Sequence, residues 1–313
     1  MQKQIKEPIM KERSSRASLV AGFRLYMEHF RHLFKSTWMA GLVAALLSGA
    51  TATAVFVYWP GLIARVYSDL PHAWQYADEY RLLLTAIILL TLLSVMATAA
   101  FGGTAAAAIL NVQLPQPVSP WRMMLRSLKK LLCHVVLFGI GFGLLGLFIY
   151  WRRAMLLDPA NNIVSLGMTL VLFTLLCIVL LPTAYLSTKY LMDTTTAFWP
   201  LLLHRYPTSM RYWGRQFVVV LVCFIMLGVF TFIVSLPGTI LYQANWQARI
   251  GVVGGDALGM PGYITALTFL TCTVISFLLL YIWLPLLTCL YYVYGAIDTR
   301  ETRKLQNQQQ KQF

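Results

Sequence analysis

Residues 217–241 read FVVVLVCFIMLGVFTFIVSLPGTIL, a stretch with no Asp, Glu, Lys or Arg. A helix needs about 20 apolar residues to cross the hydrocarbon core of a bilayer, and this stretch is long enough. Because one charge at the centre of such a helix costs about 2.5–3.5 kcal/mol, the absence of charge is typical of a membrane span. Residues 217–241 are therefore predicted to form a transmembrane helix.

Five further stretches share this length and lack of charge. The six predicted spans are 37–59, 82–110, 131–150, 163–186, 217–241 and 263–297. Of the 313 residues only 12% are charged, and the mean hydropathy is +0.66, whereas a soluble domain carries about 25% charged residues. The sequence predicts an all-α polytopic transmembrane helix bundle with one membrane domain, residues 37–297.

The distribution of Lys and Arg predicts the orientation of the chain. Alternate segments outside the spans, beginning with residues 1–36, hold 20 of the 25 Lys and Arg residues, and the other segments hold 5. By the positive-inside rule both termini are predicted to be cytoplasmic. The net charge of +14 then reflects orientation in the membrane, and no nucleic-acid partner is expected.

The first span is expected to direct insertion without a cleavable signal peptide, and the Gln-rich tail, 298–313, is predicted to be disordered.

A basic amphipathic segment precedes each of spans 1, 3 and 5, and each is predicted to form an interfacial helix on the cytoplasmic side. Ser119-Pro120 predicts where the second of these helices begins. Predicted spans 4 and 6 also resemble one another, because the first contains Leu181-Pro182 and the second contains Leu284-Pro285. Together with the three amphipathic segments, this resemblance suggests three repeated units. The basic side chains could bind anionic lipid headgroups, or they could be ordinary positively charged flanks. The candidates for headgroup contact are Arg24, Arg31, Lys35, Arg122, Arg126, Lys129, Lys130, Arg211 and Arg215.

Small and hydroxylated residues mark particular faces of the spans. Gly139, Gly143 and Gly146 are predicted to let helices approach closely, and Gly41 and Gly49 form a similar ridge in the first span. Two hydroxyl stripes could line a common pathway, or they could bond to their own backbone and to neighbouring helices. The stripes are Thr91, Ser94 and Thr98 in the second span and Thr265, Thr268 and Ser276 in the sixth.

The sequence contains no recognisable catalytic or metal-binding constellation. Its five cysteines all fall inside apolar runs and its five histidines are scattered, so no disulfide framework, metal or other cofactor is expected. No phosphate loop, zinc-protease motif or nucleophile elbow occurs. The spacing of Gly141, Gly143 and Gly146 matches a dinucleotide fingerprint, but it lies within a predicted span with no preceding strand. An enzyme is not predicted.

Residues 291–301, at the end of the last span, read YYVYGAIDTRE. This ending resembles that of a broad group of uncharacterised bacterial inner-membrane proteins related to the membrane region of some glycerophosphodiester phosphodiesterases. The resemblance implies a multi-pass protein of a bacterial inner membrane, with no enzymatic site in the membrane part. Because the chain carries no catalytic domain of that kind, diesterase activity is not expected.

Two functions lead from the sequence, ahead of a third, a lipid-modifying membrane enzyme, which would need acids, histidines or serines that converge near one interface. The first is a noncatalytic accessory or scaffold subunit that contacts membrane lipids and a membrane-protein partner. The alternative is the permease subunit of an ATP-driven exporter, with the basic segment 119–130 contacting a cytoplasmic ATPase. The first is favoured because no ionisable residue of the kind used by pumps lies deep in a span.

Overall fold

Every regular element that the computed structural model describes is an α-helix, and none of the described residues forms a strand. The structure describes residues 10–68, 81–113, 117–151, 167, 169–172, 174, 181–193, 196–253, 255 and 260–310. The helices bounded within these ranges are α1 (Ser15–Ser68), α2 (Arg81–Gln113), α3 (Pro120–Trp151), α4 (Thr183–Met192), α5 (Phe198–Arg211), α6 (Trp213–Val253), α7 (Tyr263–Ile282) and α8 (Leu284–Gln310). The predicted all-α class is confirmed.

Within the described ranges, four helical segments are long and apolar enough to cross a membrane. They are Ser15–Ile63, Arg81–Gln113, Trp213–Val252 and Tyr263–Gln310. They contain predicted spans 1, 2, 5 and 6, and their many exposed apolar side chains are compatible with a multi-pass membrane protein. Predicted span 3 lies inside α3, whereas most of predicted span 4, 163–186, falls outside the described residues.

The helix α1 runs without a break through the first amphipathic segment and the first span. The prediction of a separate interfacial helix before span 1 is therefore wrong. Its 54 residues would extend about 81 Å at 1.5 Å per residue, well beyond a hydrocarbon core of about 30 Å. Likewise, α3 begins at Pro120, as predicted, and continues into span 3. Among the described residues, a distinct helix stands before span 5 only: α5 ends at Arg211, within the third amphipathic segment, and Tyr212 separates it from α6.

Each matching Leu-Pro pair stands at a helix start. Pro182 is the N-cap residue of α4, and Pro285 follows the first residue of α8. Proline suits these positions because the first N–H groups of a helix have no partner within the helix. The helix α8 then continues through Gln310, so the stretch predicted to be a disordered tail is helical as far as that residue.

The chain forms two compact units. Unit 1 comprises Met1–His29, Ile109–Val222 and Leu286–Phe313, and unit 2 comprises Phe30–Ala108 and Cys223–Pro285. In unit 2, the buried Tyr281 of α7 lies 5.5 Å from Phe101 of α2, measured between ring centroids. Its hydroxyl is 3.1 Å from that of Thr37 in α1. Unit 1 contains α4 and α5 and is described at the site below.

Two glycines allow α1 to approach its neighbours closely. In unit 1, a Cβ added at Gly22 would lie 2.6 Å from the Cα of Cys289 in α8. Thr288 Oγ1 donates a hydrogen bond of 2.9 Å to the Gly22 carbonyl at the same contact. In unit 2, a Cβ added at Gly49 would lie 2.9 Å from the Cα of Thr273 in α7. At both positions a side chain would press on backbone atoms.

We expect Gly22→Ala to destabilise the protein by about 1–3 kcal/mol, the usual cost of overpacking, because the backbone of α8 cannot move aside without separating from α1. The measurement is thermal unfolding of the purified protein in detergent. The matched control is Gly228→Ala in α6, where no described atom lies within 4 Å of the added Cβ. That variant should be neutral or gain up to about 1 kcal/mol from better helix propensity. Equal destabilisation by both changes would contradict the close contact.

Candidate functional site

The basic residues predicted to meet lipid headgroups differ in exposure. The exposed ones are Arg24, Arg31, Lys35, Arg122, Lys129 and Arg211, and the half-buried ones are Arg126, Lys130 and Arg215. Burial lowers the pKa of Lys130 to about 8, so this ammonium loses part of its charge in mildly basic solution. Headgroup contact by the exposed group stays a prediction.

Arg126 holds the carboxyl end of α4. Its Nη2 atom donates to the backbone carbonyls of Tyr190 at 2.5 Å, Asp193 at 2.8 Å and Thr196 at 3.0 Å. The guanidinium also lies over the Tyr190 ring, 4.2 Å from its centroid. The last carbonyls of a helix have no partner within the helix, and the helix dipole favours a cation there. Arg126 therefore caps α4.

Gln216 of α6 supports the amino end of α4. It is fully buried, and its Oε1 accepts a hydrogen bond of 3.3 Å from the backbone N–H of Tyr185, in the first turn of α4. Its Nε2 donates to the Ser209 carbonyl at 2.9 Å, while Ser209 Oγ donates to the Pro182 carbonyl at 2.6 Å. Because Pro182 makes no side-chain cap, Gln216 takes that role.

Two contacts hold the middle of α4. Lys189 Nζ forms an ion pair of 2.5 Å with Asp298 of α8, and the side chains are only 8% and 24% exposed. The ammonium also lies 5.7 Å from the centroid of the Tyr294 ring. On another side, Ser187 Oγ lies 2.7 Å from His134 Nε2 of α3. The two helices that begin at matching Leu-Pro pairs are thus joined by a buried ion pair.

A second polar cluster surrounds Glu301 in unit 1. Tyr212, between α5 and α6, donates its hydroxyl to Glu301 Oε1 at 2.7 Å. Arg211 pairs with the same carboxylate oxygen at 3.6 Å, and Lys304 does so at 3.2 Å. Arg215 donates to the carbonyl of Arg13 at 3.4 Å. Arg215 therefore serves contacts within unit 1, whereas Arg211 keeps 61% of its side chain exposed.

The hydroxyl stripes bond to their own helices and to neighbours in unit 2. Thr91, Thr98 and Thr268 donate to the carbonyls four residues earlier, at 2.7, 2.9 and 2.8 Å. Ser94 lies 2.8 Å from Ser48 of α1, and the Thr268 hydroxyl accepts from Asn245 of α6 at 3.5 Å. These contacts agree with the packing alternative for those residues. Ser276 is half-buried and Thr265 is exposed.

The glycines of span 3 behave differently from those of span 1. No described atom lies within 4 Å of a Cβ added at Gly139, Gly143 or Gly146. The predicted close packing of helices at these glycines therefore has no counterpart among the described residues. Close approach occurs instead at Gly22 and Gly49 of α1.

Among the described residues, no group of three or more His, Cys, Asp or Glu side chains could hold a metal ion. The described cysteines, Cys133, Cys223, Cys272 and Cys289, carry free thiols. The arrangement of Arg126, Lys189, Asp298 and Gln216 is one of capping and ion pairing. It offers positioning of helices rather than a recognisable set of reacting groups.

The comparisons with family models, with curated proteins and with solved structures find no match for this chain. The described part of the chain is all-helical and contains four helical segments that could span a membrane.

Lys189 and Gln216 are the parts of this site that sequence reasoning missed. Lys189 follows the Leu181-Pro182 pair at the start of α4, and Asp298 follows the matching Leu284-Pro285 pair at the start of α8. The two residues stand at different distances from their Leu-Pro pairs, so the repeat gave no signal for their contact. Gln216 lies next to an apolar run, and no local sequence motif predicts that it caps another helix.

Asp298→Asn should lower the free energy of unfolding by about 3 kcal/mol, because it leaves the Lys189 ammonium buried without its counter-charge. Thermal or denaturant unfolding in detergent would measure this. Replacing both partners by apolar residues, Lys189→Met with Asp298→Leu, should cost less than the single change. The control is Glu12→Gln, which removes the partner of the exposed Arg303 and should cost under about 1 kcal/mol. A double variant less stable than Asp298→Asn would contradict the buried pair.

Proposed function

We propose that this chain is a noncatalytic six-span protein of a bacterial inner membrane, with both termini in the cytoplasm. In this proposal it acts as an accessory or scaffold subunit and contacts anionic lipid. The proposal rests on one observation: some Lys and Arg side chains are used in contacts within the protein, whereas others are exposed. Arg126, Lys189 and Arg215 serve internal contacts, whereas Arg31 and Lys35 point outward from the part of α1 predicted to leave the membrane.

Other observations support a scaffold role. The ionisable groups at the site cap helix ends or form ion pairs between helices. Several hydroxyls of the two stripes donate hydrogen bonds to backbone carbonyls of their own helices. Six spans are supported by the four candidates together with the charge-free stretches 131–150 and 163–186. Near an anionic leaflet, each surface Lys or Arg contributes about 1 kcal/mol.

Reporter fusions test the orientation. Because Lys and Arg are concentrated on one side, a fluorescent protein fused at the C-terminus should fluoresce, since it folds in the cytoplasm. Alkaline phosphatase, which is active only outside the cytoplasm, should be active when inserted after Gly255. An active phosphatase at the C-terminus, or a fluorescent insertion after Gly255, would contradict the proposed topology.

Extraction of the tagged protein in polymer-bounded lipid discs tests lipid contact and partnership together. Mass spectrometry of the discs should find a stable companion protein and enrichment of anionic lipid over the bulk membrane. Arg31→Glu should reduce that enrichment by up to about fivefold, since it removes a favourable surface charge. The matched control, Arg81→Glu, reverses an exposed charge predicted to lie on the outer side and should leave enrichment unchanged.

The same discs also separate the competing functions. A companion with a phosphate-loop ATPase sequence would favour the exporter permease instead. Discs that hold the chain alone, together with substrate transport by the purified protein in vesicles, would overturn the scaffold proposal.

A further inference from the structure

A cavity of about 320 Å³ lies within unit 2, between the end of α6 and the start of α7. Its lining residues are Val57, Asn245, Ala248, Arg249, Val252, Met260, Pro261, Gly262, Ile264 and Thr265. Known small-molecule sites occupy roughly 300–1,000 Å³, so this cavity would admit a small polar molecule or the headgroup of a lipid. It lies outside the capped helix α4 and the basic residues discussed above.

The lining contains one positive group that is available to an anion. Arg249 is exposed, and no described residue forms an ion pair or hydrogen bond with it. On the other side of the cavity, α7 begins at Tyr263 after Gly262, so its first turn brings N–H groups that lack partners within the helix. One of them, that of Ile264, already donates to the Pro261 carbonyl at 3.0 Å. The positive end of the helix dipole lies there too. An anionic group placed between Arg249 and this turn would be stabilised by both.

The lining also contains a buried acceptor. Asn245 is only 4% exposed, and its Nδ2 donates to the Leu241 carbonyl at 2.8 Å. Its Nδ2 also lies 3.5 Å from Thr268 Oγ1, whereas its Oδ1 accepts no hydrogen bond from the described residues and can accept one from a molecule in the cavity. This part of the cavity favours a hydrogen-bond donor, such as a primary ammonium.

Together these features define a site with two poles. We propose that the cavity binds a zwitterionic aminophosphate, with its phosphate at Arg249 and the first turn of α7 and its primary ammonium at Asn245 Oδ1. The phosphate is preferred to a carboxylate because Tyr242 and Trp246, an aromatic pair 6.0 Å apart, precede Arg249 on the same helix. Such aromatic residues mark the level of lipid headgroups. The source is either a phosphatidylethanolamine headgroup or free phosphoethanolamine.

The test is calorimetric titration of the full chain in detergent with phosphoethanolamine, phosphocholine and inorganic phosphate. Phosphoethanolamine should bind at least tenfold more tightly than phosphocholine, whose ammonium has no N–H to donate to Asn245. Arg249→Gln should weaken binding of phosphoethanolamine by about tenfold, the usual loss for a charge-assisted hydrogen bond. Asn245→Leu should abolish the preference over phosphocholine. The control, Arg81→Gln, removes an exposed cation outside the cavity and should bind normally.

A lipid arm distinguishes the two sources. If the ligand is a lipid headgroup, native mass spectrometry should detect the protein with bound phosphatidylethanolamine in preference to phosphatidylcholine. If the ligand is free phosphoethanolamine, neither lipid should stay bound. If Arg249→Gln fails to fold, Thr265→Val serves as the second variant and should weaken binding severalfold. Equal binding of all three soluble probes, no binding of any soluble probe or lipid, or binding unaffected by Arg249→Gln in the folded protein would overturn the proposal. The proposed scaffold function does not depend on this outcome.

Discussion

Unit 1 depends on supporting a ten-residue helix that is almost entirely buried. All but one of the residues of α4 are buried, yet a helix of any length leaves four N–H and four C=O groups without partners at its ends. Buried groups of this kind must be paired, because each one left unsatisfied costs about 1–3 kcal/mol. Side chains of Gln216 and Arg126 meet this need, so α6 and α3 are both tied to α4 by its backbone.

The ion pair between Lys189 and Asp298 is a third contact of this kind and joins α4 to α8. A buried charge pair contributes little net stability compared with apolar packing, but either charge alone is costly. Its physical effect is therefore to exclude arrangements in which α4 and α8 are displaced from one another. The Ser187 contact with His134 acts on the same helix from α3. Polar contacts from α3, α6 and α8 therefore help to fix the position of α4 in unit 1.

Local patterns predicted some features well and missed those that depend on distant residues. The absence of charge within a span is a local property, and so is the proline that starts α3, so both could be found from the sequence. The continuity of α1 was missed because an amphipathic segment and an apolar one are both compatible with one helix, and no proline separates them before Pro60. The partners of Arg126 lie 64 to 70 residues away, and no spacing rule connects them. The hydroxyl stripes show the same limit, because Ser48 opposite Ser94 could not be identified from periodicity alone.

The extension of α8 has a practical consequence for imaging. A protein of this size offers few features by which single particles can be aligned. Because α8 stays helical through Gln310 and its side chains after Glu301 are exposed, a helical marker protein joined in register at Gln310 would continue the same axis without a flexible joint. The last turns of this helix thus provide a rigid attachment point for an electron-microscopy fiducial.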